Sequence, residues 1–358
     1  MDSHICFVGP LPPPVHGYSE INKRMLGVLS SQHKIHIFDM SPRDKTFGFL
    51  LLWWRFSKLI FGNKPNALYL AFSGGLRQWI DLVFILIAGW RGVPIYIHHH
   101  SFAYLSQKNR SVIMSLGVVR NSFHIVLCNK MGEKINQLYG IEHKNIRSIS
   151  NAAFLEEISV SDHARNVSTS LRLGFLSNIT AEKGIFEFFS VLSQAVSHGV
   201  SLQGLIAGPV DESVRDNFHK SLASHPNAIY LGPVYGADKI AFFASIDVLF
   251  FPTRYPNEAQ PVTILEALAH CVPVIAFARG CIASMVPDGA GVVFPYSEGF
   301  VTQTITALRP LAESSVALEK ARQAARLAFE SQRDINRIVL ENLVVEIGSS
   351  SEKKQVKT

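Results

Sequence analysis

Two carboxylates, a lysine, a glycine and a run of histidines carry most of the chemistry legible in this sequence. Glu258 and Glu266 stand eight positions apart in a segment that leaves an apolar run at Phe250-Phe251. The segment crosses a polar loop and enters a helical pattern near Pro261, a residue suited to a first helical turn. Glu258 falls in the loop, and Glu266 falls in the helix among Ile264, Leu265, Ala267 and Leu268. A carboxylate in such apolar company is rarely left unpaired, and ribose hydroxyls would pair with it well. The plainer alternative for both is an exposed carboxylate near a helix start, satisfied by water or backbone N–H groups.

Lys183 lies in Asn178-Ile179-Thr180-Ala181-Glu182-Lys183-Gly184, between a strand pattern and a helix pattern. The dipole at a helix N-terminus favours anions over cations, so a lysine there fits best facing a bound diphosphate. A solvated surface lysine is the alternative. Gly17 closes the loop Gly9-Pro10-Leu11-Pro12-Pro13-Pro14-Val15-His16-Gly17 just before a helix. Glycine lets a backbone approach a ligand closely, and free N–H groups at a helix start can meet phosphate. A Pro-rich connector explains the same residues, and the loop is not the G-x-G-x-x-G of dinucleotide-binding folds. His98, His99 and His100 end a strand pattern. Neighbours on a strand point to opposite faces, so the three cannot converge on one metal. One of them is placed to orient a hydroxyl or accept a proton, or all three are structural.

These residues sit at the ends of short β-rich runs that alternate with longer helical ones. Strands are predicted at 4–8, 34–38, 67–72, 94–99, 123–127 and 146–149, and again at 171–176, 201–207, 227–231, 246–251, 273–277 and 291–294. Strand then helix, repeated, marks a doubly wound parallel sheet, in which ligands bind beyond the C-terminal strand ends. A polar, Ser-rich stretch at 156–170 divides the chain into two α/β units. The boundaries read as 1–155 and 170–330, followed by a helical pattern to 347 and a disordered polar tail at 348–358.

A length of 358 residues exceeds what one core sustains, in keeping with two domains. With 47% hydrophobic and 17% charged residues the chain is globular. The four cysteines form no metal-ligand spacing and fit a reducing compartment. The chain enters a strand at once, without a secretory signal, and the apolar run Leu82–Trp90 is about half of the ~20 residues that a membrane span needs. A cytoplasmic protein is expected. The net charge of +6 is uneven: residues 1–150 hold 17 Lys/Arg against 7 Asp/Glu, and residues 151–358 hold 17 against 21. A basic first half suggests a polyanionic partner, either nucleic acid or an anionic membrane surface, and no zinc-finger, RNP-type or heptad pattern supports nucleic acid. Residues 47–61, rich in Leu, Trp and Phe with Arg55 and Lys58 three apart, suit contact with an anionic membrane, or else a crossover helix packed on its sheet.

Taken together, the Gly17 loop, Thr180-Ala181-Glu182-Lys183-Gly184 and the Glu258/Glu266 pair, in this order and context, resemble the retaining glycosyltransferases of the GT-B fold, specifically glycosyltransferase family 4. The resemblance spans roughly residues 4–345. It implies two Rossmann-like domains facing across a cleft, the first completed by the helix 331–347. It implies a nucleotide-sugar donor of UDP or GDP type and a glycan or lipid-linked acceptor. Gly17 would lie against the donor diphosphate and Lys183 would balance its charge. Glu258 would bind sugar hydroxyls, the Val262 and Thr263 amides would approach the phosphates, and Glu266 would bind the ribose. His100 best matches the family's strand-end histidine, with His98 and His99 leaving the register open. Asn178 departs from the family's usual Arg, which removes one fixed positive charge, and Pro261 lacks an N–H. No Asp-x-Asp is present to hold a divalent ion, so hexose transfer with retention, without metal or cofactor, is expected. Surface-polysaccharide synthesis is the expected setting. The rival readings are a GT-B-fold UDP-sugar epimerase and a degenerate scaffold in a polysaccharide assembly complex.

Overall fold

The computed structural model describes residues 3–15, 17–41, 47–117, 122–157 and 170–350. The chain divides into two compact units, one of residues up to Phe154 together with those from Arg333 onward, the other Leu155–Gln332. The polar stretch expected to join the domains lies, at 158–169, outside the described residues.

The first unit is built on β1 (His4–Gly9), β2 (Lys34–Asp39), β3 (Ala67–Phe72), β4 (Ile95–His99), β5 (Ser122–Val126) and β6 (Ile146–Ser148). The second contains β7 (Leu171–Leu176), β8 (Leu202–Ala207), β9 (Ala228–Tyr230), β10 (Val248–Phe251), β11 (Val274–Phe277) and β12 (Gly291–Phe294). Each expected strand is present, with ends shifted by no more than two residues. The sheet orders are β2-β1-β3-β4-β5-β6 and β12-β11-β10-β7-β8-β9, and every paired strand is parallel. The central strands read as unbroken apolar runs because helices cover both faces: all six residues of β3 are buried. The edge strands β2, β6, β9 and β12 stay partly exposed.

In each unit the strand order reverses about its first strand. The first unit reverses between β1 and β3, the second between β7 and β10. Crossovers leave in opposite directions there, which opens a crevice at the C-terminal edge.

The last helix, Ser315–Ser349, starts on the second unit and ends on the first. Arg322 pairs with Asp247 at 2.7 Å in the second unit. In the first, Glu346 takes a bidentate contact from Arg147 at 2.8 and 2.9 Å, and Asn336 Oδ1 accepts from the Ser150 N–H at 2.7 Å. The helical pattern expected to run to 347 is present as this helix, which follows the helix Phe300–Glu313 after a break at Ser314. The tail assigned from 348 begins too early, because Gly348 and Ser349 are helical and Ser350 Oγ lies 2.5 Å from the Tyr96 hydroxyl. Docking on β4 holds this end in place where its polar sequence alone suggests fraying. Residues 351–358 lie outside the described residues.

Leu343 is 2% exposed on this stretch. Leu343→Ala should cost about 2–4 kcal/mol. All four tryptophans lie between 53 and 90, so their fluorescence during denaturation reports the first unit directly. An unchanged transition would mean that the helix end contributes nothing to that unit.

Candidate active site

In the second unit, the loops after β7 and β10 meet although their functional residues are 75 positions apart. Lys183 Nζ lies 2.5 Å from Glu258 Oε2, and both side chains are largely buried. Thr253 Oγ1 donates to the same carboxylate oxygen at 3.3 Å, and the Lys183 ammonium stands 4.7 Å from the centre of the Tyr255 ring. The two loops are tied by their backbones: the Arg254 N–H donates to Glu182 O at 2.7 Å. Arg254 also pairs with Glu187 at 2.7 Å. Gly184 makes this approach feasible. It adopts φ +88, and a Cβ there would collide with the carbonyl oxygen of Pro252.

The Glu258 loop is braced from β11 as well. Gly280, at φ +52, brings its backbone against the carbonyls of Glu258 and Ala259, and the Cys281 N–H donates to Ala259 O at 2.7 Å. The loop then enters the helix Val262–Ala269, capped by the backbone of Pro261 with no side-chain cap. The first N–H groups of a helix have no intrahelical partner, which leaves the Val262 and Thr263 amides at an end where anions are favoured. Glu266, one turn on, has its carboxylate on Lys239 of the helix Gly236–Ser245, at 2.5–2.6 Å. Its apolar neighbours Ile264, Leu265, Ala267 and Leu268 are all buried, so the pairing expected of that carboxylate is met here by a protein cation. Asn178 is exposed, two residues beyond β7.

In the first unit, Gly17 opens the helix Gly17–Ser30 and is exposed. The Tyr18 hydroxyl, next to it, donates to Ala71 O at 2.7 Å, and the Tyr18 ring lies 4.7 Å from that of His100. The three histidines separate as strand alternation requires. His99 is fully buried with both ring nitrogens engaged, Nδ1 2.8 Å from the Tyr104 hydroxyl and Nε2 3.0 Å from His124 Nδ1. His98 shares a face with His100 and has Nδ1 2.6 Å from the Tyr69 hydroxyl. His100 is less enclosed than the other two, and its Nε2 has no protein partner. Burial first, and then the neighbouring His99, push the His100 pKa down to about 3, so this imidazole stays neutral through the physiological range.

Several residues at these edges carried no signal in the sequence. Lys239 and Tyr255 reach the carboxylate and the lysine only through tertiary packing. Gly280 was readable as a glycine just past a strand, a position that often marks a close backbone approach. Asp81 is buried beneath the β3 end and accepts from the Ser73 N–H at 2.8 Å. Burial pushes its pKa up to about 7.

Nearly the whole chain resembles solved structures in fold. It aligns with Anabaena Alr3699/HepE in complex with UDP over 96% of this chain and 99% of that one, with a TM-score of 0.71 at 16% identity. The lipopolysaccharide outer core galactosyltransferase WaaB gives a TM-score of 0.71 at 14% identity, with the same coverage of each chain. By sequence, 124 residues are 28% identical to the capsular polysaccharide biosynthesis glycosyltransferase CapM of Staphylococcus aureus, a stretch that covers 34% of this chain and 32% of that protein.

A raised Asp81 pKa has a sign that can be checked. The unfolded carboxyl ionises near 4 and the folded one near 7, so stability falls as pH rises across that window. Relative to wild type, Asp81→Asn should therefore gain roughly 1–4 kcal/mol between pH 4 and pH 8 in denaturant titrations. A difference independent of pH would show that Asp81 is ionised in the fold. Residues 170–310, which contain both loops of the Lys183–Glu258 pair, match the family model described as glycosyl transferases group 1, on a chain whose two parallel sheets form a GT-B fold.

Proposed function

We propose that this chain is a retaining glycosyltransferase that moves a hexose from a nucleotide-diphosphate sugar to a glycan or lipid-linked acceptor. The observation that carries this reading is the Lys183–Glu258 pair at the switch point of the second sheet, beside a helix start with no side-chain cap. That arrangement offers a cation and backbone N–H groups to a diphosphate, and a carboxylate to sugar hydroxyls. Two further lines support it. The matched family model covers most of this unit, and the relatives CapM and WaaB are named as a capsular polysaccharide biosynthesis glycosyltransferase and a lipopolysaccharide outer core galactosyltransferase. Bacterial surface-polysaccharide synthesis at the inner face of the cell membrane is the proposed setting.

In the proposed reaction the bond between the anomeric carbon and the leaving diphosphate oxygen breaks. The acceptor oxygen bonds to the anomeric carbon on the same face. The acceptor proton passes to a leaving phosphate oxygen, so no side-chain nucleophile is required. Lys183 and the Val262 and Thr263 amides meet the charge that develops on the diphosphate, with the Gly17 loop as a further diphosphate contact. Glu258 fixes donor hydroxyls, Glu266 together with Lys239 receives the ribose, and Asn178 stands at the edge of the diphosphate site. His100, neutral, orients rather than protonates. With these groups supplying the positive charge, no metal ion and no separate cofactor are needed.

The test is product formation from a panel of UDP- and GDP-hexoses, with the anomeric configuration read by NMR. Retention and full activity in EDTA are the expected results. Glu258→Gln should lower transfer by about 10²-fold or more in protein that circular dichroism shows to be folded. Inversion, loss on chelation with rescue by magnesium, or near-wild-type turnover in Glu258→Gln would each overturn the corresponding part.

A further inference from the structure

The helix Phe47–Gly62 carries its apolar residues on the wrong side for a helix that faces water. Its exposed side chains are Leu50, Leu51, Trp54, Arg55, Lys58 and Phe61, a single stripe at helical spacing that ends at the exposed Gly62. Phe56 and Ile60, fully buried, form the opposite face. The aromatics of this helix are thus sorted, with Trp54 and Phe61 outward and Phe56 in the core. The next crossover helix, Gln78–Trp90, has one charged residue, Asp81, and that residue is buried. Its outward side chains are Trp79, Leu86 and Trp90.

The two stripes are continuous. The Phe61 and Trp90 rings meet edge to face at 5.2 Å, and the Arg91 guanidinium lies 5.7 Å from the Phe61 ring centre. Single exposed leucines are ordinary on a protein surface, but Trp54 at 61% exposure and Trp90 at 79% within one joined patch are not. The charge around the patch has one sign. Residues 47–94 contain five basic residues, Arg55, Lys58, Lys64, Arg77 and Arg91, and a single acid, the buried Asp81. Arg55 and Lys58 also border a shallow groove of about 500 Å³, and the Lys58 ammonium stands 5.4 Å from the Trp54 ring centre.

We infer that this face docks on an anionic lipid surface. Tryptophan rings settle at headgroup depth, and basic side chains beside them meet anionic lipid. A second copy of the chain would set these cations against one another, which disfavours self-association. No helix among the described residues is long and apolar enough to cross a membrane, so contact is by this face. Both helices are crossovers of a parallel sheet and start at its C-terminal edge, the edge that carries Gly17 and His100. The inference rests on the surface alone and holds whether or not sugar transfer is the chemistry.

The full-length chain can report its own docking, since all four tryptophans belong to these two helices. Mixed with phosphatidylcholine vesicles, with or without phosphatidylglycerol, it should co-sediment and shift its emission to the blue only where anionic lipid is present. Added salt should weaken binding. Arg55→Glu with Lys58→Glu, and separately Trp54→Ser with Trp90→Ser, should each weaken it by about tenfold or more at an unchanged melting temperature. The lipid and salt dependence of the wild-type chain decides the matter even where a variant fails to fold. Equal binding to neutral vesicles, absence of binding, or undiminished binding by the charge-reversed variant would overturn the proposal. So would a dimer that Trp54→Ser dissociates, because that assigns the face to a second copy.

Discussion

The Lys183–Glu258 contact depends on the order of strands in the second sheet. Because β7 and β10 are hydrogen-bonded neighbours, two loops that the sequence separates by 75 positions come out of adjacent strands. A glycine at Gly184 removes the Cβ that would otherwise block their approach, and the Arg254–Glu182 backbone hydrogen bond locks it. Fixing a cation and a carboxylate in this way costs conformational freedom once, on folding. The proposed donor diphosphate would then meet groups already in position, which is the condition under which electrostatic stabilisation is effective. The helix Val262–Ala269 follows from the same constraint, since its start is held by the braced Glu258 loop.

The first unit applies the same topology with different chemistry. At its C-terminal edge the acid Asp81 is buried with an elevated pKa, and the histidines are held neutral by burial. Tyr69, Tyr104 and His124 hold His98 and His99 in a hydrogen-bonded layer, and His100, the least enclosed of the three, has an Nε2 without a protein partner, as His98 does. A neutral imidazole in such a setting can accept or donate a hydrogen bond to a hydroxyl without competing for a proton, which suits the binding of an uncharged acceptor group.

Much of this architecture was legible from periodicity. Central parallel strands are continuous apolar runs, and each of the twelve was placed within two residues because turn-forming residues bracket it. Lys183 and Glu266 were legible because each is a charged group set against its local preference, and Glu258 because it stands in the loop eight positions before Glu266. Strand order was not, since periodicity fixes which segments are strands and says nothing of which ones pair. For that reason Lys239 and Tyr255 escaped notice, although they touch Glu266 and Lys183. The sidedness of the Phe47–Gly62 helix was hidden for a related reason. A sequence apolar on nearly every face does not reveal which face meets the sheet, and only packing shows Phe56 inward and Trp54 outward. The end of the last helix was misjudged because its docking partners, Tyr96 and Arg147, lie about 200 residues or more away.

The central claim is that the Lys183–Glu258 site binds a nucleotide-diphosphate sugar. Calorimetric titration of the full-length protein with UDP- and GDP-hexoses, in wild type and in Lys183→Ala, tests it most directly. The expected result is saturable binding of at least one donor, weakened about tenfold or more in Lys183→Ala, while the variant keeps its fold. Binding of equal strength in Lys183→Ala, or no binding of any nucleotide sugar by the wild-type chain, would contradict it.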